Sequence, residues 1–368
     1  MKVSTILIGL AGATVLVTGI AFGFHHRLLQ STVANDASAP QQNPAPGTSL
    51  GAAQGNNAPK SAAGVGSADN TSETTVKVAM RNVEFHLTDR IVVHIASLEG
   101  KLAPKPGQIP VFDDKQSFGL DADAANVSVT NQALTNDLND FVFAKPDAPL
   151  KKLSVTTKGD RLVIKGFLAS KGDLPFETDG TVSVTPEGMI RIHTTKVKTL
   201  HVPVKGLMDM LGLETSKLLN TNKVAGVAVD KDDLILDPEE VFPPPQIHGH
   251  LTRIAVQGNG MALEFRSPGV TPTAQMPVTA STCGGQNFLA FKGGSVRFGK
   301  LTMNDTDLEL VDSTPADPFD FSIDHYNRQL TAGYSKMTPR GGLCVHMPDL
   351  DKIRASTNPK PQQPVAGN

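Results

Sequence analysis

Thr75-Val76-Lys77-Val78-Ala79-Met80, Ile91-Val92-Val93-His94-Ile95 and Arg161-Leu162-Val163-Ile164-Lys165-Gly166-Phe167-Leu168 are the stretches that decide the fold. In each, large apolar residues recur at every second position: Val76, Val78 and Met80, then Ile91, Val93 and Ile95, then Leu162, Ile164 and Leu168. A period of two places them on one face of a strand, with the other face wet or differently covered. Turn-forming sequences separate such runs, at Lys158-Gly159-Asp160, Ser170-Lys171-Gly172-Asp173, Pro186-Glu187-Gly188 and Gly258-Asn259-Gly260. Short connections of this kind join antiparallel neighbours. The expected class is α+β and mainly antiparallel β, a curved sheet packed with one or two amphipathic helices.

Two segments break the period. Thr130 is placed to cap a helix whose stripe is Leu134, Leu138, Phe141 and Val142, ending before Pro146. A second helix is expected from about Val204, with Leu207, Met208, Leu211 and Leu218 along one side and Gly212 dividing it. Each stripe either packs on the sheet or encloses an apolar groove with it. In the second case Leu134, Leu138, Phe141, Leu207, Met208 and Leu211 line the ligand groove.

Ahead of the strands, Val3 to Phe24 carries no charge over 22 residues. At about 1.5 Å per residue this crosses a hydrocarbon core of roughly 30 Å. Lys2 supplies a short positive flank, so a cleaved signal peptide competes with an uncleaved anchor, although Pro40 follows the small residues Ala37-Ser38-Ala39. Residues to about Ser72 are rich in Ala, Gly, Ser, Pro, Asn and Gln and have too few large apolar groups to offset the entropy of ordering them. The division expected is an anchor or signal at 1–24, a disordered tether at 25–75, and a β-rich domain at 76–266. A linker at 267–286, a C-terminal β-rich module at 287–353 and a disordered tail at 354–368 follow. The folded part is then extracytoplasmic, periplasmic or at the cell surface, and secreted if the N-terminal segment is cleaved.

Composition narrows the function classes. With 34 basic and 36 acidic residues, net −2, and no basic block, a nucleic-acid partner is not expected. The absence of Trp and the presence of only two Tyr leave few stacking platforms for bases or sugars. Cys283 and Cys344 are the only cysteines, and an oxidising compartment allows them to pair. Asp305, Asp307 and Glu309 alternate along a strand and are read as a solvated face or, failing that, a Ca²⁺ site without EF-hand spacing. His248 and His250 share a strand face, but His-x-His without a third ligand is a weak metal signal. No Gly-x-Ser-x-Gly elbow and no phosphate loop occurs. No cofactor or metal is expected, and non-catalytic function is favoured over enzymatic.

The order Gly159-Asp160-Arg161-Leu162-Val163-Ile164-Lys165-Gly166, then Val182-Ser183-Val184-Thr185-Pro186-Glu187-Gly188-Met189-Ile190-Arg191-Ile192, a Leu-rich helix, and Val227-Ala228-Val229-Asp230-Lys231-Asp232-Asp233-Leu234-Ile235-Leu236-Asp237-Pro238 resembles bacterial envelope lipid-binding proteins of the LmeA-like type over 76–266. Residues 287–353, through Gly293-Gly294-Ser295-Val296-Arg297-Phe298-Gly299-Lys300-Leu301-Thr302-Met303-Asn304, look like strand modules of AsmA-like envelope proteins. The resemblance implies a membrane-tethered protein that holds a phospholipid or other amphiphile between sheet and helix. A structural or assembly protein of the envelope with a protein partner is the alternative, and an envelope hydrolase the third. In the C-terminal part, apolar parity shifts between Val296/Phe298, Leu301/Met303 and Leu308/Leu310, which implies bulges or tight turns.

Overall fold

The computed structural model describes residues 75–169, 173–199, 202–203, 224–267 and 280–357. The expected anchor, the tether up to residue 74, the tail from residue 358, and the expected helix carrying Leu207, Met208 and Leu211 lie outside them, while 354–357 of the expected tail are helical. The chain begins with β1 (Lys77–His86), β2 (Val92–Pro104) and β3 (Phe118–Thr130), an antiparallel meander in which Val78, Val83, Phe85, Val93, Ile95 and Val127 are buried. Thr130 caps α1 (Asn131–Asp137) by accepting the Ala133 amide at 3.1 Å, as the sequence indicates. Helix α1 carries the chain out of this first sheet.

The second sheet follows: β4 (Leu150–Lys158), β5 (Arg161–Leu168), β6 (Leu174–Val184), β7 (Ile190–Thr199), β8 (Val202–Pro203), β9 (Val227–Asp230) and β10 (Asp233–Leu236). Its order is β4-β5-β6-β7-β10-β9, with β8 on β7 and every pair antiparallel. The turns at Gly159 and Gly188 have φ of 65° and 84°, a region glycine enters without a Cβ penalty. These are the hairpins marked by the turn sequences.

After α2 (Pro238–Val241), the chain returns to the first sheet through β11 (Ile247–His248), β12 (Leu251–Gln257), β13 (Gly260–Arg266), β14 (Phe288–Phe298), β15 (Leu301–Asp312), β16 (Phe319–Ser322), α3 (Tyr326–Ala332), β17 (Tyr334–Met337), β18 (Leu343–Met347) and α4 (Leu350–Thr357). The order is β12-β13-β3-β2-β1-β14-β15-β18-β17, with β11 parallel to β3 and β16 parallel to β1. Strands from both sides of the 267–286 segment therefore lie in one sheet. Most buried apolar residues of the two sheets form one continuous core, and Ala79, Phe288 and Ala290 form a small separate cluster.

Two local devices explain how long strands change face. Asn82 has φ of 51°, and at this kink β1 switches its neighbour from β14 (Lys77 to Arg81) to β16 (Val83 to His86). Buried positions change from Val78 and Met80 to Val83 and Phe85 across it. In the β14–β15 hairpin, Gly293, Gly294 and Asp305 all have positive φ; Gly293 lies opposite Thr306, Gly294 and Asp305 fall between the paired positions on either side, and the register from Phe288↔Val311 to Phe298↔Leu301 does not shift. Both strands turn over together, so this parity shift needs no inserted residue, and the other one is the hairpin turn at Gly299 and Lys300.

Cys283 and Cys344 are joined, with Cα atoms 5.9 Å apart. Cys344 lies on β18 opposite Glu309 of β15, and the 3% exposed Glu309 carboxylate accepts hydrogen bonds from the Ser281 hydroxyl and from the Thr282 amide (2.9 Å) and hydroxyl (2.8 Å). The disulfide and this carboxylate fasten the same loop to the sheet. Glu309 is thus separated from Asp307, which is exposed and 3.9 Å from Lys292.

Candidate functional site

Strand β4 is an edge of the second sheet, so alternate backbone groups along it lack a strand partner. Side chains of the helical segment supply them. The Val155 amide donates to Thr135 Oγ1 at 2.9 Å, and the Leu153 amide to Asn139 Oδ1 at 2.8 Å. Asn139 Nδ2 returns a bond to the Leu153 carbonyl at 2.8 Å. Thr135 and Asn139, each directly after a leucine of the stripe, therefore fix the helical segment to the sheet edge.

The stripe is interrupted in a way the 3.6-residue period does not foresee. From Leu138 to Val142 the chain forms a π-helical turn, closed by the Phe143 amide donating to the Leu138 carbonyl at 2.9 Å. The wider turn shifts every later side chain relative to an α-helix. Leu134 and Leu138 face the interior, Phe141 is 38% exposed and away from it, and Phe143, at 8%, takes the inward position. Phe143 was not among the expected groove residues, and Phe141 is not brought to the groove. Leu207, Met208 and Leu211 lie outside the described residues.

Leu134, Leu138 and Phe143 close an apolar pocket of about 50 Å³ against Val155 of β4, Ile164 of β5, Ile192 of β7, Leu236 of β10 and Met261 of β13. Among the described residues the wall carries one polar side chain. Asp137, at the end of α1, is 3% exposed, and its Oδ1 has no hydrogen-bond partner. Burial pushes its carboxyl up to about 8, with a smaller contribution from the charge of Asp140. Asp140 itself is turned to Arg90, at 2.8 Å. Around neutral pH Asp137 is therefore mainly an uncharged acid, able to donate and to accept a hydrogen bond, set in an otherwise apolar wall. A buried polar group without a partner costs free energy, on the order of 1–3 kcal/mol for a neutral one. Such groups gather where a ligand supplies the missing contact.

A larger hollow of about 300 Å³ lies on the outer side of the second sheet, between Lys152, Lys165, Phe167, Pro175 and Lys198. Its lysines are exposed, Lys165 is paired with Glu177 at 3.1 Å, and among the described residues lining it none has a buried polar atom left without a partner. We place the candidate site at the smaller pocket, because of the two it is the one whose described lining includes a buried unsatisfied group.

Other chemistry-bearing groups are committed elsewhere. His86, on β1, is ion-paired with Asp320 of β16 and lies opposite Ser322. Burial raises Asp320, but the hydrogen bond and charge of His86 outweigh it and hold the carboxyl below its usual range. Ser322 is fully buried, and neither its Oγ nor His86 Nδ1 has a hydrogen-bond partner, so serine and histidine are not coupled as nucleophile and base. His248 Nδ1 is 3.0 Å from Asp121 Oδ1, while His250 packs over Gly188. Among the described residues no group of three or more His, Cys, Asp or Glu side chains is arranged to hold a metal ion.

Compared with family models, with curated proteins and with solved structures, the chain has no match.

Proposed function

We propose that this is a membrane-tethered extracytoplasmic protein that binds an amphiphile, one end of which enters the pocket between the α1–π segment and the second sheet. The observation that carries the proposal is the unpartnered Oδ1 of Asp137 in a wall whose other described residues are apolar. A group that served packing alone would be better replaced by a leucine. Apolar burial at roughly 25 cal/mol per Å² supplies affinity, and the single polar group supplies orientation. The volume of about 50 Å³ admits the end of such a molecule. Whole drug-sized ligands fill pockets of roughly 300 Å³ or more. The rest of the ligand therefore lies outside this pocket, or the π-helical turn moves to admit more of it.

The N-terminal apolar run and the tether agree with this reading, as does the LmeA-like and AsmA-like texture of the two strand-rich stretches. A second reading, an envelope protein that docks a protein partner, draws on β17, an edge strand on which Tyr334 and Met337 are 52% and 73% exposed. The two are separated by Leu138→Trp. If Leu138 borders a site, the indole fills it and ligand occupancy falls while the melting temperature changes little. If Leu138 is plain core, overpacking costs typically ~1 to 3 kcal/mol and the melting temperature drops. Lipid extraction and thermal unfolding of wild type and variant give both values. A lowered melting temperature with no ligand in either protein sinks the amphiphile proposal.

A further inference from the structure

The chemistry of the pocket restricts what can enter it, an inference that rests on reading the pocket as an amphiphile site. We propose that the end of the ligand received there is a hydrogen-bond donor, a hydroxyl or a protonated amine on an apolar body, and that acid-ended amphiphiles are excluded. The geometry has three parts. Asp137 lines the cavity, and its Oδ1 is a buried acceptor with no hydrogen-bond partner. Among the described residues no cationic side chain lines the wall, which Leu134, Val155, Ile164, Ile192 and Leu236 help to build. Arg90, the basic partner of Asp140, is not among the residues of the wall; its side chain is 64% exposed and engaged with Asp140 at 2.8 Å and Asn136 at 3.0 Å.

A carboxylate or phosphate placed here meets the carboxyl of Asp137 and the charge of Asp140 with no compensating cation, in surroundings that screen little. A hydroxyl instead donates to Oδ1 and accepts from the protonated carboxyl, satisfying both partners. An ammonium group takes the carboxylate form, so its entry releases the Asp137 proton to solvent and leaves a charge-assisted pair. The two donor types thus differ in proton balance while sharing the same acceptor.

Titration calorimetry of the full chain at neutral pH with 1-octanol, n-octylamine and octanoate tests this. Wild type is expected to bind the alcohol and the amine at least about tenfold more tightly than the acid, with proton release to buffer for the amine alone. Asp137→Asn keeps an acceptor but cannot pair an ammonium, so it retains the alcohol and loses the amine. Asp137→Leu loses the preference for both. Octanoate binding as tightly as octanol, or a preference unchanged in Asp137→Leu, overturns the inference. Failure of all three probes to bind also overturns it. The amphiphile reading itself falls only if solvent extraction of the purified chain also yields no ligand.

Discussion

Asp137→Asn is expected to make the protein markedly more stable at pH 8 while leaving it nearly unchanged at pH 4. The carboxyl keeps its proton up to about pH 8 when folded, against a normal value of 3.8. Between those values the folded state binds the extra proton, so wild-type stability falls as pH rises. One pKa unit corresponds to about 1.4 kcal/mol, so the loss accumulates to on the order of 5 kcal/mol by pH 8. Asparagine cannot ionise, and the slope due to this residue disappears. Asp89 and Asp320, both held below their usual range, act in the opposite sense and at lower pH, and they are present in both proteins. Urea unfolding of both proteins at pH 4, 6 and 8 isolates the Asp137 contribution as the difference between them. Parallel pH profiles would show that the carboxyl is not held protonated in an apolar wall.

Breaking the Cys283–Cys344 bond has the next largest expected effect. The residues are 61 apart in sequence, and the chain-entropy model assigns closure of a loop of that length about 4 kcal/mol. Glu309 continues to hold Ser281 and Thr282 after reduction, so the loop keeps one of its two fastenings. The expected outcome is a protein that still folds but unfolds at a distinctly lower denaturant concentration. Oxidised and reduced chains, compared in urea with the thiols counted afterwards, give the difference. Coincident midpoints would mean that the bond constrains little in the unfolded chain.

Much of the sheet was readable from periodicity, because Val76, Val78, Met80, Ile91, Val93, Ile95, Leu162, Ile164 and Leu168 alternate and all are buried. Helix α1 was readable from its cap. The division into two sheets was not, since alternation records burial of one face and not which strand lies alongside. The kinks at Asn82 and Asp305 rest on non-glycine residues with positive φ, which local sequence does not mark strongly. The exchange of Phe141 for Phe143 follows from the π-helical turn, which no 3.6-residue template contains. Asp137 did leave a signal. It stands three residues after Leu134 and just before Leu138, inside the apolar stripe and not opposite it. A search for apolar residues alone passes over the one charged-type residue on that face.

The central claim is that the pocket behind Leu134 and Leu138 receives part of an amphiphile. Native mass spectrometry of the full chain, purified from its own membrane fraction and followed by solvent extraction, tests it most directly. The expected spectrum contains a non-covalent adduct, released on activation, whose extracted component bears a hydroxyl or amine on an apolar body. Asp137→Leu should lower the adduct fraction while the chain remains folded. A spectrum of bare protein only, in wild type as in the variant, would contradict the claim.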